Sequence, residues 1–327
     1  MTEKAGGQDA ILRGVHVIDG GLATELEYAG ARIDGPLWSA HVLEGEPEKL
    51  LAVHRAYIQA GAECIATCSY QVSRMGYAEL GLPAERADAA LLRSVELARS
   101  VVAEFPERRV LVAGSLGPYG AALHNGGEYH GNYDCSYDDL VRFHRERIEV
   151  FARASANQAP DLLAFETFPS LEEARAVGEA MAPFHPTGQK WPGGGPSVWR
   201  ELRVWFSFSC RDEKHVSHGE RVADCAALVA SFPQTVAIGV NCVPPKWIPT
   251  LIAELRSASD KPVVVYPNSG EGWDAERRCW TGVTDPGEFG AQAAQWFKVG
   301  AQMVGGCCRT RPAHIRAVAE AAGSVFT

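Results

Sequence analysis

The chain has 327 residues, enough for two ordinary domains or for one large α/β barrel, which runs to about 250 residues and more with insertions. Lysine and arginine number 31 against 40 aspartates and glutamates, and a net charge of −9 without any basic block excludes a nucleic-acid or anionic-membrane binder. No apolar run approaches the ~18 residues of a membrane span, and the opening MTEKAGGQDA lacks the apolar core of a secretory signal, so a soluble cytoplasmic protein is expected.

Short apolar or β-branched runs alternate along the chain with polar turns and with longer stretches of helical spacing. The first predicted strand covers 15–19, and the DGGLAT turn after it is not the G-x-G-x-x-G of a doubly wound dinucleotide fold, the main alternative. Further strands are predicted at 64–69, 109–114, 162–166, 204–209, 236–241, 263–266 and 302–305. Between the second and third lies the clearest amphipathic helix, 83–105, in which Leu91, Val95, Ala98, Val102 and Phe105 recur at three- and four-residue steps. Ser136 with Asp139, and Ser170 with Glu173, resemble capping boxes, while Gly61 and Gly300 stand where helix C-caps fall. Eight strand–helix units with no shift of composition predict the α/β class and a single (β/α)8 TIM barrel over 15–327, after an N-terminal extension of residues 1–14. The Gly/Pro-rich stretch 186–196 (PTGQKWPGGGP) reads as a surface loop ahead of the fifth strand, away from the active face.

In such a barrel the chemistry lies at the C-terminal ends of the strands. Those ends read Asp19-Gly20-Gly21, Thr67-Cys68-Ser69-Tyr70, Gly114-Ser115-Leu116-Gly117, Glu166-Thr167, Ser207-Phe208-Ser209-Cys210, Asn241-Cys242, Pro267-Asn268-Ser269-Gly270 and Gly305-Gly306-Cys307-Cys308. A mouth lined this way is poorly explained by packing, since each unpaired polar group there costs about 1–3 kcal/mol. Nine cysteines (64, 68, 135, 210, 225, 242, 279, 307 and 308) are an odd number, expected to stay thiols in a reducing compartment. Cys242 and the pair Cys307-Cys308 end strands six and eight, separated by one position around a closed barrel, so three thiols can converge. Gly305 and Gly306 allow the close backbone approach this needs. Three thiolates suit zinc and leave a fourth position for substrate; the alternative is three core cysteines without a metal. Cys64 and Cys68 read as barrel filler, and His215 and His218 as solvated loop residues. Asp19 and Glu166 are strand-end carboxylates suited either to structural hydrogen bonds or to a substrate ammonium.

The stretches DGGLATE (19–25), LWSA (37–40), SYQ (69–71), VAGSLGPYG (112–120), EYHGNY (128–133), FET (165–167), GVNC (239–242), YPNSGE (266–271) and GGCCRT (305–310) resemble the homocysteine S-methyltransferase family. More narrowly, they are similar to the branch that uses S-methylmethionine. The resemblance is colinear from about residue 15 to the C-terminus, and the pairing of GxNC with GGCCRT is its most specific part. It implies a zinc-dependent (β/α)8 barrel with Cys242, Cys307 and Cys308 as the Zn2+ ligands. It also implies a homocysteine pocket at Asp19, Gly20, Gly21 and Glu166, to which Asn241 and Trp38 are added as substrate-binding candidates. The 186–196 loop is longer and richer in glycine than that branch leads one to expect.

Methyl transfer to sulfur needs a thiolate, and a free alkyl thiol is mostly protonated at pH 7; zinc on the substrate sulfur removes that proton. Three cysteinates and a substrate thiolate on Zn2+ sum to −2, which favours a cationic donor. A sulfonium, S-methylmethionine before S-adenosylmethionine, leaves as a neutral thioether, so no general acid or base is expected. Trp38 and the tyrosine-rich segment 119–133 are candidates for cation–π contact with the sulfonium, and Glu128, His130 and Asn132 for its amino-acid end. The alternatives are a betaine- or selenocysteine-type methyltransferase of the same family, a zinc hydrolase, and a non-catalytic barrel whose zinc has a fourth protein ligand.

Overall fold

The computed structural model describes residues 9–33, 42–184, 202–274, 279–282 and 284–326. Seven parallel strands pair in the order β1 (Cys64–Ala66), β2 (Leu111–Leu116), β3 (Leu162–Phe168), β4 (Val204–Phe208), β5 (Thr235–Asn241), β6 (Val263–Tyr266) and β9 (Met303–Val304). An antiparallel hairpin of β7 (Gly272–Asp274) and β8 (Cys279–Thr281) intervenes between β6 and β9 in sequence. The strands predicted from β1 onward are therefore seen, with shifted ends, and the hairpin is an addition.

The predicted first strand is reduced to a two-residue bridge. Val17 pairs with Val304 and Ile18 with Cys64, so the bridge joins both edges of the sheet and curls it. The Ile18 N–H donates to the Val304 carbonyl and the Asp19 N–H to the Cys64 carbonyl, each at 3.0 Å. A longer strand does not form because the His16 and Val17 N–H groups bond the Glu63 carboxylate, at 2.6 and 3.0 Å.

Helices fill the connections. α1 (Leu22–Tyr28), α2 (Val42–Gly45) and α3 (Pro47–Ala60) precede β1; α4 (Arg74–Glu79) and α5 (Ala84–Val102) precede β2; α6 (Tyr119–Ala122) and α7 (Tyr137–Ala152) precede β3. Next come α8 (Leu171–Met181), α9 (Val222–Ala230) and α10 (Ile248–Ala258), one before each following strand, then α11 (Pro286–Val299) and α12 (Pro312–Phe326) on either side of β9. The helix predicted at 83–105 is α5, N-capped at Pro83. Ser136 and Asp139 form a complete capping box on α7, whereas Ser170 caps α8 while the Glu173 carboxylate turns elsewhere. Gly61 and Gly300 end α3 and α11 with left-handed φ of 114° and 118°, as C-caps do.

Successive residues of a strand face opposite sides, and both sides here are buried. Val112, Leu163, Phe165, Phe206, Ile238 and Val265 pack outward against helical residues such as Val95, Ile148, Val177, Ile252 and Ile315. Leu111, Ala113, Leu162, Ala164, Trp205, Val264 and Met303 form a separate cluster with Ile18 and Cys64 that no α-helix enters, so they fill the concave side. Leu12 and Val15 plug that cluster at the strands' N-terminal end. Apolar filling below leaves only the opposite, C-terminal mouth for polar groups. No helix among the described residues is long and apolar enough to cross a membrane. Trp38, the 186–196 loop and residues 1–8 of the predicted extension lie outside the described residues.

Candidate metal and substrate site

Cys242 directly follows β5 and Cys307-Cys308 follow β9, so the sulfurs flank the end of β6. That end ties the two segments together. The Cys242 N–H donates to the Tyr266 carbonyl (3.2 Å), the Cys307 N–H to the Pro267 carbonyl (2.8 Å), and the Ser269 N–H to the Cys308 carbonyl (3.0 Å). The three Sγ atoms lie within 4.8 Å of one another, with 3.5 Å between Cys242 and Cys308. Glycine is required on the approach: a Cβ on Gly305 would stand 2.3 Å from Ile18 Cγ1 and 2.5 Å from the Asp19 carbonyl oxygen. Across the mouth, a Cβ on Gly21 would stand 2.5 Å from the Cys307 carbonyl oxygen, and the Gly21 N–H donates to Thr310 Oγ1 at 3.0 Å.

The donor set suits a soft cation. Hydrogen bonds from Cys307, Cys308 and Tyr129 hold the Cys242 thiol well below its ordinary value, so the cluster favours at least one thiolate. The hydroxyl of Tyr129 approaches Cys242 Sγ to 3.2 Å. The sequence placed this tyrosine only within an aromatic segment, because its contact is made by an irregular loop whose sole regular piece is a 3-10 turn, Gly127–Tyr129.

Carboxyls surround the sulfurs. Burial raises Asp19 well above the usual carboxylate range, against a 2.8 Å hydrogen bond from the Ala66 N–H, and the nearby Glu166 charge raises it further. Burial pushes Glu166 up to about 7, opposed by hydrogen bonds from Ser115 and Tyr266. Glu128 is likewise pushed up to about 7 by burial, and its Oε2 is buried without a partner among the described residues. Acids held in this state gain from an arriving cation, whose charge restores the carboxylate.

The other predicted residues divide. Asn241 spends its side chain locally: Oδ1 accepts from the Thr167 N–H (2.8 Å) and the Ser207 hydroxyl (2.7 Å), and Nδ2 donates to Thr167 Oγ1 (2.8 Å). Gly20 lies against Tyr57, whose ring a Cβ there would meet at 2.8 Å. His130 and Asn132 are exposed and bond each other, so of the three polar loop residues only Glu128 is turned inward. Tyr119 and Tyr133 are tied to Glu173 instead of to the sulfurs. His215 pairs with Asp212 and His218 with Glu220, as solvated loop residues would.

A curled parallel α/β sheet that gathers three thiols and several raised carboxyls at its strand ends has the makings of a metal-thiolate enzyme for a small cationic or zwitterionic substrate. The sequence profile of the homocysteine S-methyltransferase family matches residues 16–322. The chain belongs to the homocysteine S-methyltransferase family and is a methyltransferase. Homocysteine S-methyltransferase YbgG of Bacillus subtilis (strain 168) is 41% identical over 323 residues, 95% of each chain. The homocysteine S-methyltransferase of Escherichia coli (strain K12) is 42% identical over 311 residues, 92% of this chain and 93% of its own. Among solved structures, the metallated form of the homocysteine methyltransferase MmuM from Escherichia coli superposes with a TM-score of 0.79 at 37% identity, over 95% of this chain and 99% of that one.

Proposed function

We propose that the chain carries a methyl group from a sulfonium donor, S-methylmethionine in preference to S-adenosylmethionine, to the thiol of homocysteine, forming methionine, with zinc held by Cys242, Cys307 and Cys308. The observation that carries this reading is the convergence of three sulfurs and three raised carboxyls at one mouth. The sheet is read with it as a closed (β/α)8 barrel formed as one unit from residue 15, supported by the bonds of residues 17–19 to both edges. The free thiols of Cys64, Cys68, Cys135, Cys210 and Cys225 suit a reducing compartment and support a cytoplasmic location.

Zinc, when bound, supplies the positive charge that keeps the substrate sulfur unprotonated at neutral pH. The chain's own residues do the rest. Glu166 and Asp19 take the homocysteine ammonium, which draws both back to carboxylate. Gly20 and Gly21 let this turn pack directly on Tyr57 and the Cys307 carbonyl, so the amino-acid end lies against backbone close to the sulfurs. Asn241 acts from behind, holding Thr167 so that Glu166 faces the mouth. On the donor side Glu128 takes the second ammonium and Tyr129 flanks the sulfonium; Trp38 stays a candidate for cation–π contact on its sequence alone. The homocysteine sulfur forms its bond to the methyl carbon as the old carbon–sulfur bond breaks. That bond's electron pair stays with the departing sulfur, which leaves as a neutral thioether. No proton moves in the displacement, so alignment is the protein's main contribution.

The test is metal analysis together with donor competition. One zinc per chain is expected, with S-methylmethionine consumed ahead of S-adenosylmethionine and betaine. Cys307→Ser should lose metal and turnover while keeping its circular dichroism spectrum. Full zinc occupancy and normal turnover in that variant would sink the ligand assignment; dimethylglycine as the main product would move the chain to betaine.

A further inference from the structure

Residues 117–133 leave the end of β2, carry Glu128 and Tyr129 over the thiols, and come back down toward α7. The two feet of this segment are fixed from outside the site, by a carboxylate on α8. Glu173 is fully buried in the first turn of that helix. Its Oε1 accepts from the Tyr119 N–H at 2.5 Å and from His144 Nε2 at 2.9 Å, and its Oε2 accepts from the Tyr133 hydroxyl at 2.9 Å. Burial depresses His144 to about 4, so the ring is neutral. With its one proton on Nε2 facing Glu173, Nδ1 is free to accept from Arg147 at 2.9 Å. Arg147 in turn donates to the Gly117 carbonyl at 2.8 Å. Gly117, Tyr119 and Tyr133 thus all end on one buried Glu–His–Arg chain.

Such a chain is an expensive way to hold two helices together, because a buried carboxylate and a buried guanidinium lose their water, and apolar side chains would serve as well. Glu173 also gives up the ordinary third-position role of a capping box, although Ser170 supplies its half. What its position delivers is placement of the segment's crest. The Gly120 and Gly127 backbones touch, so closely that a Cβ on Gly120 would stand 2.4 Å from the Gly127 carbonyl carbon. A shift of the feet therefore moves Gly127 and with it Glu128 and Tyr129. On its far side the crest is held by a hydrogen bond from the Ser209 hydroxyl to the Glu128 carbonyl, 2.8 Å.

We propose that Glu173 is a positioning residue for the methyl donor: by fixing both feet of segment 117–133 it sets where the Glu128 carboxylate and the Tyr129 hydroxyl stand over the thiols. This rests on the reading above that the segment recognises the donor. Glu173→Gln keeps the shape but puts an amide donor where an acceptor stood, so one of the three groups facing it loses its partner. In the zinc-loaded enzyme the KM for S-methylmethionine should rise about tenfold or more, while the KM for homocysteine and the zinc content change less than about twofold. Backbone amides of 119–133 should exchange hydrogen faster. Added to Glu128→Ala, the Glu173→Gln change should raise the donor KM by clearly less than it does alone, because part of its effect runs through that carboxyl. Tyr133→Phe removes one hydrogen bond and no charge; it should show a smaller effect of the same sign, and it replaces Glu173→Gln if that variant does not fold. Equal rises in both KM values, an unchanged donor KM, or additive effects in the double variant would overturn the positioning role. Wild-type protein that turns over no sulfonium would refute the donor reading instead. The exchange measurement would still report on Glu173, and unchanged exchange in 119–133 would end the proposal by itself.

Discussion

Glu166 enters the mouth of the sheet as a carboxyl that burial has pushed up to about 7, so it is near half-protonation in neutral solution. The form that can hold a substrate ammonium is the ionised one. In the free enzyme kcat/KM for homocysteine is therefore expected to rise with pH through about 7 and to flatten above it. Glu166→Gln should abolish that inflection and lower kcat/KM by the equivalent of ~2–4 kcal/mol, since the buried partner of a charge is removed. Profiles of kcat/KM against pH for both proteins decide the matter; superimposable curves would take Glu166 out of substrate recognition. The comparison isolates this residue because any titration of the substrate thiol is common to the two proteins.

At the level of elements, the strand ends bend in a particular way. Among the described residues four that are not glycine have positive φ, and three of them (Thr167 at 62°, Cys242 at 55° and Arg309 at 67°) directly follow Glu166, Asn241 and Cys308. A left-handed residue bends the chain sharply, at Thr167 within the irregular stretch of β3 before Phe168 and at Cys242 directly after β5, at a cost of about 1–3 kcal/mol that the surroundings must offset. At Thr167 the offset is Asn241, which bonds both its N–H and its hydroxyl. Asn241→Ala should destabilise by about 3 kcal/mol and lower the melting temperature by roughly 3–6 °C, because buried donors lose their acceptor. Adding Thr167→Gly should recover part of the loss, since glycine adopts positive φ without strain. A thermal melt in which the second change only deepens the loss would exclude this account. Most of the elements were legible because their signals are local: the stripe of Leu91, Val95 and Ala98 announces α5, and apolar runs bounded by polar turns announce β2 to β6. The bridge at Val17–Ile18 was not, since its length is decided by the Glu63 carboxylate, 46 positions away from Val17. The β7–β8 hairpin has strands of three residues, too short for periodicity to register. In the site, two diglycines and a cysteine pair are distinctive in any sequence. The approach of Tyr129 to Cys242 carries no such mark, being produced by an irregular loop and an anchor on another helix.

For the whole molecule, two fully buried histidines make stability fall in acid. His54 on α3 is fully buried with no hydrogen-bond partner for either ring nitrogen among the described residues, and burial lowers it to about 4; His144 is lowered to the same value. The unfolded chain takes up a proton on each below the ordinary 6.5, the folded protein only below about 4. Between those values the unfolded state binds more protons, so stability falls as the pH falls, and above 6.5 neither residue contributes to the slope. Each is worth up to about 3 kcal/mol at the acid end. The raised carboxyls of Glu128 and Glu166 act in the opposite sense from 4.5 to about 7, which makes the variant-to-wild-type difference the informative quantity. His54→Leu should stabilise the protein, and by more at about pH 5 than at about pH 7.5, with turnover retained. Denaturation midpoints at the two pH values measure this, and an equal shift at both would contradict it.

The bridge at Val17–Ile18 also bears on the order in which the molecule is made. It joins β1 to β9, and His16 Nδ1 stands 3.2 Å from the carbonyl of Gln302, 286 positions away. Contacts so distant in sequence form late, because the entropy of closing the loop must be met before they contribute. At ~5–20 residues per second, roughly 15–60 s of synthesis separate the appearance of Val17 from that of its partner Val304. Through that interval the growing chain has one open flank, and even after β5 is made only the single thiol of Cys242 stands at the future site. Cys307 and Cys308 arrive just after the strand that shuts the flank. The three-sulfur site therefore comes into being in the same event that completes the molecule, and a half-made chain offers no such trap to stray soft metal ions.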